Sequence, residues 1–353
     1  SQAAEPQGIL LFNMHHIAAD GWSLGILVDE FMELYQSLTA KADSTPAPLT
    51  IQYGDYAHWQ AEYLDGEALS PQLGYWAEQL KGAPVIHALP LDFPRPAVKQ
   101  HLGAMVNGSL SAPLSQSLQS LAREYQVTPF IVLHAALSLV LSLHSNQNDI
   151  VIGTPSANRA QPGLDKLIGF FVNTLVLRTS TDFERFDEYL AHVKQVNQDA
   201  LANQDVPFEK LVELSHADRS TQYMPLAEIQ FNMDNMELGE LSIDGAQFSA
   251  LKQDKLVARF DLNVSAAILD DGIHFTWVYD SSIFKEQRIQ QLNEHLLRLL
   301  QGILASPKAL LSDLPILSDA EVHQQLKDFN SSDAEGLAND QIQTLFEHIV
   351  KQN

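Results

Sequence analysis

The longest apolar run in the chain, residues 130–143, places the strongest constraint on its fold. His134, Ser138 and Ser142 interrupt the run, which falls short of the ~20 apolar residues that span a bilayer. It is therefore predicted to be a helix buried in a globular protein. Because 45% of the residues are hydrophobic and 18% are charged, the chain has enough apolar material for a sizeable core.

Charge and composition restrict the partners and the chemistry. The chain carries 44 acidic and 21 basic residues, a formal charge of −23, which repels phosphate backbones and anionic membrane surfaces. We therefore expect neither nucleic acid nor a membrane as a partner. The chain contains no cysteine, so disulfides, thiolate metal sites and cysteine nucleophiles are excluded.

The N-terminus, Ser-Gln-Ala-Ala-Glu-Pro, lacks the basic and apolar segments of a secretory signal. A cytoplasmic location is predicted on that basis. The chain also begins without methionine and enters an apolar run at Ile9. This start predicts a piece cut from a longer protein.

At 353 residues the chain exceeds the ~100 to 200 residues of a usual domain, so two units or two lobes are expected. Four prolines make residues 83–103 the candidate crossover between lobes. Apolar patterning predicts strands at residues 8–14, 149–153, 171–177, 226–233, 257–267 and 273–279. Helical spacing predicts helices at residues 23–38, 113–125, 128–143, 186–200 and 285–304, and one that runs through Tyr75-Trp76. This mixed order indicates an α/β or α+β sheet covered by helices.

Two adjacent histidines, His15 and His16, follow the first predicted strand, and Asp20-Gly21 comes four residues later. Such a pair is more often packed or capping than catalytic, and Asp20-Gly21 alone is typical of a turn. No metal site is predicted, because neighbouring strand residues project to opposite faces and do not easily share one ion.

Two enzymatic hypotheses remain for this segment. In the first, Ser23 is the nucleophile of a serine hydrolase, since residues 21–25 match the Gly-x-Ser-x-Gly pattern; however, Ser23 stands where a helix N-cap is expected. In the second, His16 takes a proton from an amine or hydroxyl that attacks a thioester. His15 then turns into the lobe and holds the segment, and Asp20, if buried, needs a cation to remain ionised.

The segment Met14-His-His-Ile-Ala-Ala-Asp-Gly-Trp-Ser23 resembles the signature of nonribosomal peptide synthetase condensation domains. Further segments resemble later motifs of that family, in family order, at residues 53–59, 152–159, 168–178 and 203–209. The resemblance covers residues 8 to about 305. Residues 314–318 and 343–347 resemble the linker into an adenylation domain and the first helix of that domain.

The resemblance implies a chloramphenicol-acetyltransferase-like fold, an α+β sandwich arranged as a pseudodimer of two lobes. The family has further elements before the histidine pair, so the first lobe is expected to be incomplete, with exposed apolar surface, poor solubility and low activity in isolation. The implied domains are the N-terminal lobe, the C-terminal lobe, the linker and the start of the adenylation domain, at residues 1–100, 101–305, 306–340 and 341–353.

The resemblance also implies the reaction. A condensation domain transfers a carrier-bound acyl or peptidyl thioester to the amine of a carrier-bound aminoacyl acceptor, in the biosynthesis of peptide secondary metabolites such as antibiotics. His16 acts on the attacking amine or positions it, and His15, Asp20, Gly21 and Arg159 support the motif, with Asp20 paired to Arg159.

The implied partners are upstream and downstream peptidyl carrier proteins and the adjacent adenylation domain, around a monomeric domain of a multidomain chain. No cofactor is bound directly, because the substrates are carried on the phosphopantetheine of the carrier proteins. The competing non-enzymatic hypothesis is a condensation-like docking domain that leaves both thioesters unchanged.

Some residues bear on the subgroup. Heterocyclising relatives carry aspartates in place of His15 and His16, so simple amide formation is favoured. The sequence around Trp22, Gln52-Tyr53-Gly-Asp and Asn158-Arg159 looks most like the subgroup that joins an L-configured donor to an L-configured acceptor. Trp22 and Asn232 are weak candidates for lining the substrate channel, and Gln222 or Tyr223 replaces a basic residue that the family usually has.

Overall fold

A computed structural model of the chain describes residues 8–40, 47–215, 220–233, 242–243, 246–247, 256–328 and 350–351. The chain divides into two compact units, residues 1–314 and 315–353. The described part of the second unit contains α9 (Asp319–His323) and a π-helical turn (Gln324–Asp328). Residues 343–347, with the predicted first helix of an adenylation domain, lie outside the described residues.

Helices and strands of the first unit have the following bounds. The helices are α1 (Gly21–Ala40), α2 (Tyr53–Asp65), α3 (Ser70–Leu80), α4 (Ala112–Glu124), α5 (Pro129–Ser145), α6 (Phe186–Ala202), α7 (Phe208–Leu214) and α8 (Glu286–Ala305). The strands are β1 (Leu102–Ser111), β2 (Asp149–Ser156), β3 (Asn173–Ser180), β4 (Ile229–Met233), β5 (Ser242–Ile243), β6 (Ala246–Gln247), β7 (Leu256–Val257), β8 (Leu262–Leu269) and β9 (Gly272–Asp280). Short 3-10 turns lie at His16–Ala18, Glu67–Leu69 and Leu311–Asp313.

Seven of the strands form one mixed sheet in the order β3-β2-β4-β8-β9-β1-β7. The pair β4 and β8 is parallel, whereas β8 with β9 and β9 with β1 are antiparallel. On β9 the side chains of Ile273, Phe275, Trp277 and Tyr279 are all buried, as the alternating pattern predicts. The sheet with its helices is the predicted mixed architecture.

Helix α5 is the buried helix that the longest apolar run predicts. Residues 131–142 are all buried, and the helix packs with α6 and α8 against the sheet. Among the described residues, no single helix is long and apolar enough to cross a bilayer. Helices α4 and α5 pass that test only as a pair, and the pair is bent by 104°.

The strand predicted at residues 8–14 is wrong. These residues lie in no helix or strand, and Ile9 and Leu11 are 78% and 79% exposed. A strand needs a neighbour for its backbone hydrogen bonds, and no described strand pairs with this segment. The described residues before 101 instead supply helices α1 to α3.

Residues 83–101 form a connector without helix or strand, as the prolines predict. Its backbone is tied to the loop before β4, since the Leu226 N–H donates to Val85 O at 2.9 Å and the Lys99 N–H to Thr221 O at 3.1 Å. Leu226 has a φ of 66°, which delays the start of β4 to Ile229, three residues later than predicted.

A buried ion cluster fixes the same connector to the sheet. Arg95, Lys99 and His87 of the connector all contact Asp261, which directly precedes β8; Lys99 Nζ lies 3.1 Å from Asp261 Oδ1, and His87 Nε2 lies 2.9 Å from Oδ2. Lys99 also pairs with Glu228, which precedes β4. Burial, and then the neighbouring Asp261, raises the pKa of Glu228 to about 7.

Candidate active site

The histidine pair lies on a 3-10 turn and not on a strand. His15 Nδ1 accepts the N–H of Ile17 at 3.1 Å, so His15 caps the turn. Its side chain is exposed, and the prediction that it turns into the lobe is wrong. The local hydrogen bond holds the ring over its own turn, and the strand geometry behind that prediction is absent here.

His16, like His15, is exposed. Its ring contacts the ring of Phe170 edge to face, with 5.2 Å between the centroids and 83° between the planes. Within the described residues, no three His, Cys, Asp or Glu side chains are grouped so that they could hold a metal ion. The arrangement offers an accessible proton acceptor beside an aromatic face.

Asp20 is buried and caps helix α1. Its Oδ1 accepts the N–H of Ser23 at 2.9 Å, and its Oδ2 accepts the N–H of Phe171 at 3.0 Å. Arg159 Nη2 donates to Oδ1 at 3.1 Å. Burial alone would raise the pKa of Asp20, but the hydrogen bonds from Ser23 and Phe171, together with the charge of Arg159, outweigh it and hold the pKa below its ordinary value.

Arg159 joins helix α1 to the loop before β3. Its Nη1 donates to the carbonyl oxygens of Leu164 and Leu167 at 2.6 and 2.7 Å. Its guanidinium carbon lies 4.0 Å from the centroid of the Phe171 ring. Since both Asp20 and Arg159 are buried, each supplies the counter-charge that the other needs away from water.

Ser23 is the third member of this group. Its hydroxyl is fully buried and lies 2.7 Å from Asp20 Oδ1, 2.9 Å from Arg159 Nη2 and 2.9 Å from Gly169 O. The residue that caps the helix is Asp20, so the prediction of Ser23 as N-cap is wrong. A hydroxyl that no substrate can reach, and that is held by several partners, contradicts the serine-hydrolase hypothesis.

Three further residues of the predicted site lie outside the buried group of Asp20, Ser23 and Arg159. Gly21 begins α1 in the open, with nothing within 4 Å of the place of a Cβ. Trp22 is half exposed, and its indole N–H donates to Asp165 O at 2.9 Å. Asn232 lies on β4, opposite Ser265 of β8, and not in the group formed by Asp20, Ser23 and Arg159.

Sequence reasoning assigned no role to Tyr53, Gly169, Phe170 or Phe171. The Tyr53 hydroxyl donates to Phe170 O at 2.9 Å, and Gly169 exchanges hydrogen bonds with Ser23. The available signal was that residues 53–59 and 168–178 belong to motifs that resemble those of one family. Their sequence spacing does not show that the two motifs contact each other.

Known proteins match the chain across this site and far beyond it. The family model described as "Condensation domain" matches residues 1–326. The chain belongs to the condensation-domain family. The predicted resemblance to condensation domains of nonribosomal peptide synthetases is thereby confirmed.

Among curated relatives, this condensation domain is similar to part of a linear gramicidin synthase from Brevibacillus parabrevis. The two are 39% identical over 346 residues, which are 97% of this chain and 7% of that relative. Gramicidin S synthase 2 from Aneurinibacillus migulanus is 35% identical over 351 residues, which are 99% of this chain and 8% of that relative. The chain thus spans a small fraction of the length of the curated relatives it matches.

Solved structures share the fold. The X-domain from teicoplanin biosynthesis gives a TM-score of 0.78 with 26% identity, over 86% of this chain and 70% of that one. A four-domain nonribosomal peptide synthetase bound to AMP and glycine gives a TM-score of 0.82 with 24% identity, over 96% and 26% of the respective chains. The mixed α/β fold predicted for the family is confirmed.

Proposed function

We propose that this condensation domain forms peptide bonds in nonribosomal peptide synthesis. It transfers an acyl or peptidyl group from a thioester on one carrier protein to the amine of an aminoacyl group on another. Both substrates are carried on phosphopantetheine, and the partners are an upstream carrier protein, a downstream carrier protein and an adenylation domain of the same multidomain chain. The subgroup that joins an L-configured donor to an L-configured acceptor fits the sequence around Trp22 and Arg159.

The observation that carries this proposal is the contrast between the exposed His16 and the buried group that follows it in the fold. The side chains of Asp20, Ser23 and Arg159 are buried and hydrogen-bond with one another, so they form a scaffold. His16 is exposed and lies directly before that scaffold, where it is able to meet a substrate. General acid–base chemistry needs an accessible proton acceptor held on a rigid element.

In the proposed step, the amine nitrogen attacks the thioester carbonyl carbon. The new C–N bond forms, the C–S bond breaks, and the sulfur leaves as the phosphopantetheine thiol. His16 accepts the proton that the amine nitrogen loses and returns it to the departing sulfur. Asp20, Arg159 and Gly21 act on the backbone that presents His16 and make no direct contribution to proton transfer.

The test is dipeptide formation by the complete synthetase module that contains this chain. Donor and acceptor carrier proteins are loaded with L-aminoacyl phosphopantetheine, and the dipeptidyl thioester is followed by intact-protein mass spectrometry. Replacement of His16 by Ala is expected to lower the rate by about 10² to 10⁴ fold, the usual contribution of a general base. Undiminished product in H16A would remove His16 from the mechanism.

His58 provides the matched control. It is an exposed histidine on α2, and its side chain is 79% exposed, so H58A is expected to keep the wild-type rate. An equal loss in H58A would show that the effect of H16A is unspecific. Carrier binding by the wild-type module with both thioesters unchanged would instead identify a docking domain.

A further inference from the structure

Residues 169–171 are held through their backbone groups by residues at the starts of two helices. The Gly169 N–H donates to Ser23 Oγ at 3.0 Å, and Gly169 O accepts the N–H of Asp20 at 3.1 Å. Phe170 O accepts the Tyr53 hydroxyl, and the Phe171 N–H donates to Asp20. Three consecutive residues are therefore fixed by the first turn of α1 and the first residue of α2.

Packing explains the residue types at two of these positions. A Cβ on Gly169 would lie 2.1 Å from Tyr53 Cδ2, so there is no room for a side chain. Phe171 is buried beneath the guanidinium of Arg159. Both residues are explained by packing.

Phe170 differs from them. Its side chain is 40% exposed, and its ring meets the ring of His16 edge to face. Its backbone is pinned on both sides by the contacts of Gly169 and Phe171, so the base of this side chain has little freedom. A rigid backbone therefore holds an aromatic ring that is only partly buried and lies against His16.

We propose that Phe170 is a positioning residue for His16. Its ring restricts rotation of the imidazole, so that one orientation of His16 faces the substrate. The catalytic consequence rests on the proposed function, whereas the contact itself does not. Edge-to-face pairs of aromatic rings favour one mutual orientation beyond what burial alone would give.

The first experiment needs no turnover. The full chain is labelled with isotopes in its histidine rings, and the ring signals of His16 are assigned from their absence in H16Q. In F170L the ring-current contribution of Phe170 is lost, so the His16 ring signals are expected to shift and broaden. In F170Y, which keeps the ring, they are expected to stay close to wild type.

Phe93 supplies the control, because it is also an exposed phenylalanine, 41% exposed, and contacts Lys285. F93L is expected to leave the His16 signals unchanged. His16 signals that do not move in F170L would overturn the proposal, and so would an equal shift in F93L.

The second experiment measures dipeptide formation in the same variants. F170L is expected to lower kcat about 3- to 10-fold with little change in KM, the size of one aromatic contact, and F170Y is expected to restore the rate. A wild-type rate in F170L would overturn the positioning role. Product formation that fails in the wild-type module, alongside a shifted His16 signal in F170L, would instead count against the proposed function alone.

Discussion

The central carbon of the Arg159 guanidinium lies over the Phe171 ring, 4.0 Å from its centroid. The same guanidinium donates to Asp20 and to two backbone carbonyl oxygens. A planar, permanently charged group suits this position, because it can stack on a ring and donate in several directions at once. The first turn of α1 and the loop before β3 are thus joined through one side chain.

Replacement of Asp20 by Asn is expected to destabilise the fold strongly. It leaves the buried charge of Arg159 without its counter-ion, and removal of one partner of a buried pair costs about 3 to 5 kcal/mol. The free energy of unfolding from urea titration measures the loss. The exposed pair of Lys210 and Glu213 is the control, since E213Q is expected to cost about 1 kcal/mol or less.

The loss in D20N also has a defined pH dependence. Because the folded pKa of Asp20 lies below its ordinary value of 3.8, the carboxylate stabilises the fold above that value. This contribution disappears as the pH falls through the folded pKa. The difference in free energy of unfolding between wild type and D20N should therefore narrow below pH 3.8. A constant difference would contradict an ionised Asp20.

Replacement of Gly169 by Ala is expected to disturb the segment that carries Phe170. The added Cβ would meet the Tyr53 ring at 2.1 Å and the Phe171 ring at 2.8 Å, and overpacking of this kind costs about 1 to 3 kcal/mol. Gly74, inside α3, has nothing within 4 Å of its Cβ position. G74A is therefore expected to stabilise the fold by up to about 1 kcal/mol and so to raise the thermal midpoint of unfolding, whereas G169A is expected to lower it.

Local patterns predict α1, α4, α5, α6, α8 and β9 well, because burial follows periodicity, but they missed α2 and α7. The run at residues 130–143 becomes α5, and the alternation in residues 273–279 becomes β9. Strand β1 was missed, since Gly103, Asn107 and Gly108 weaken its apolar pattern. Its pairing with β9, some 170 residues away, has no local signature. The strand prediction at residues 8–14 failed for the opposite reason, because this apolar run has no described partner strand.

The candidate site was predictable only through the resemblance. Asp20 and Arg159 are 139 positions apart in the sequence, so no local pattern predicts their contact, and only the motif series linked them. The prediction that His15 turns into the lobe failed because it assumed a strand that this segment does not form. The contact between His16 and Phe170 depends on how α1, α2 and the loop before β3 meet, which is tertiary packing.

His134 is expected to make the fold sensitive to mild acid. It is fully buried on α5, its Nδ1 lies 3.0 Å from Asn197 Nδ2, and burial lowers its pKa from 6.5 to about 3. The unfolded chain therefore takes up a proton below pH 6.5 that the folded chain does not, and stability falls by up to ~1.4 kcal/mol per pH unit. In urea titrations between pH 7 and 4.5, H134Q should lose less stability than wild type; equal losses would contradict a neutral buried His134.

Glu228 is expected to act in the opposite direction. Its folded pKa of about 7 lies above the ordinary 4.5, so between these values the folded chain holds a proton that the unfolded chain has released. The contribution is fully present below pH 4.5 and is lost as the pH rises through 7, up to about 3 kcal/mol. Gln cannot release a proton, so the free energy of unfolding of E228Q, relative to that of wild type, should rise by that amount between pH 5 and 8 in urea titrations. E62Q, at an exposed position on α2, should track wild type across the range, and an E228Q curve parallel to wild type would show that Glu228 is already ionised beside Lys99.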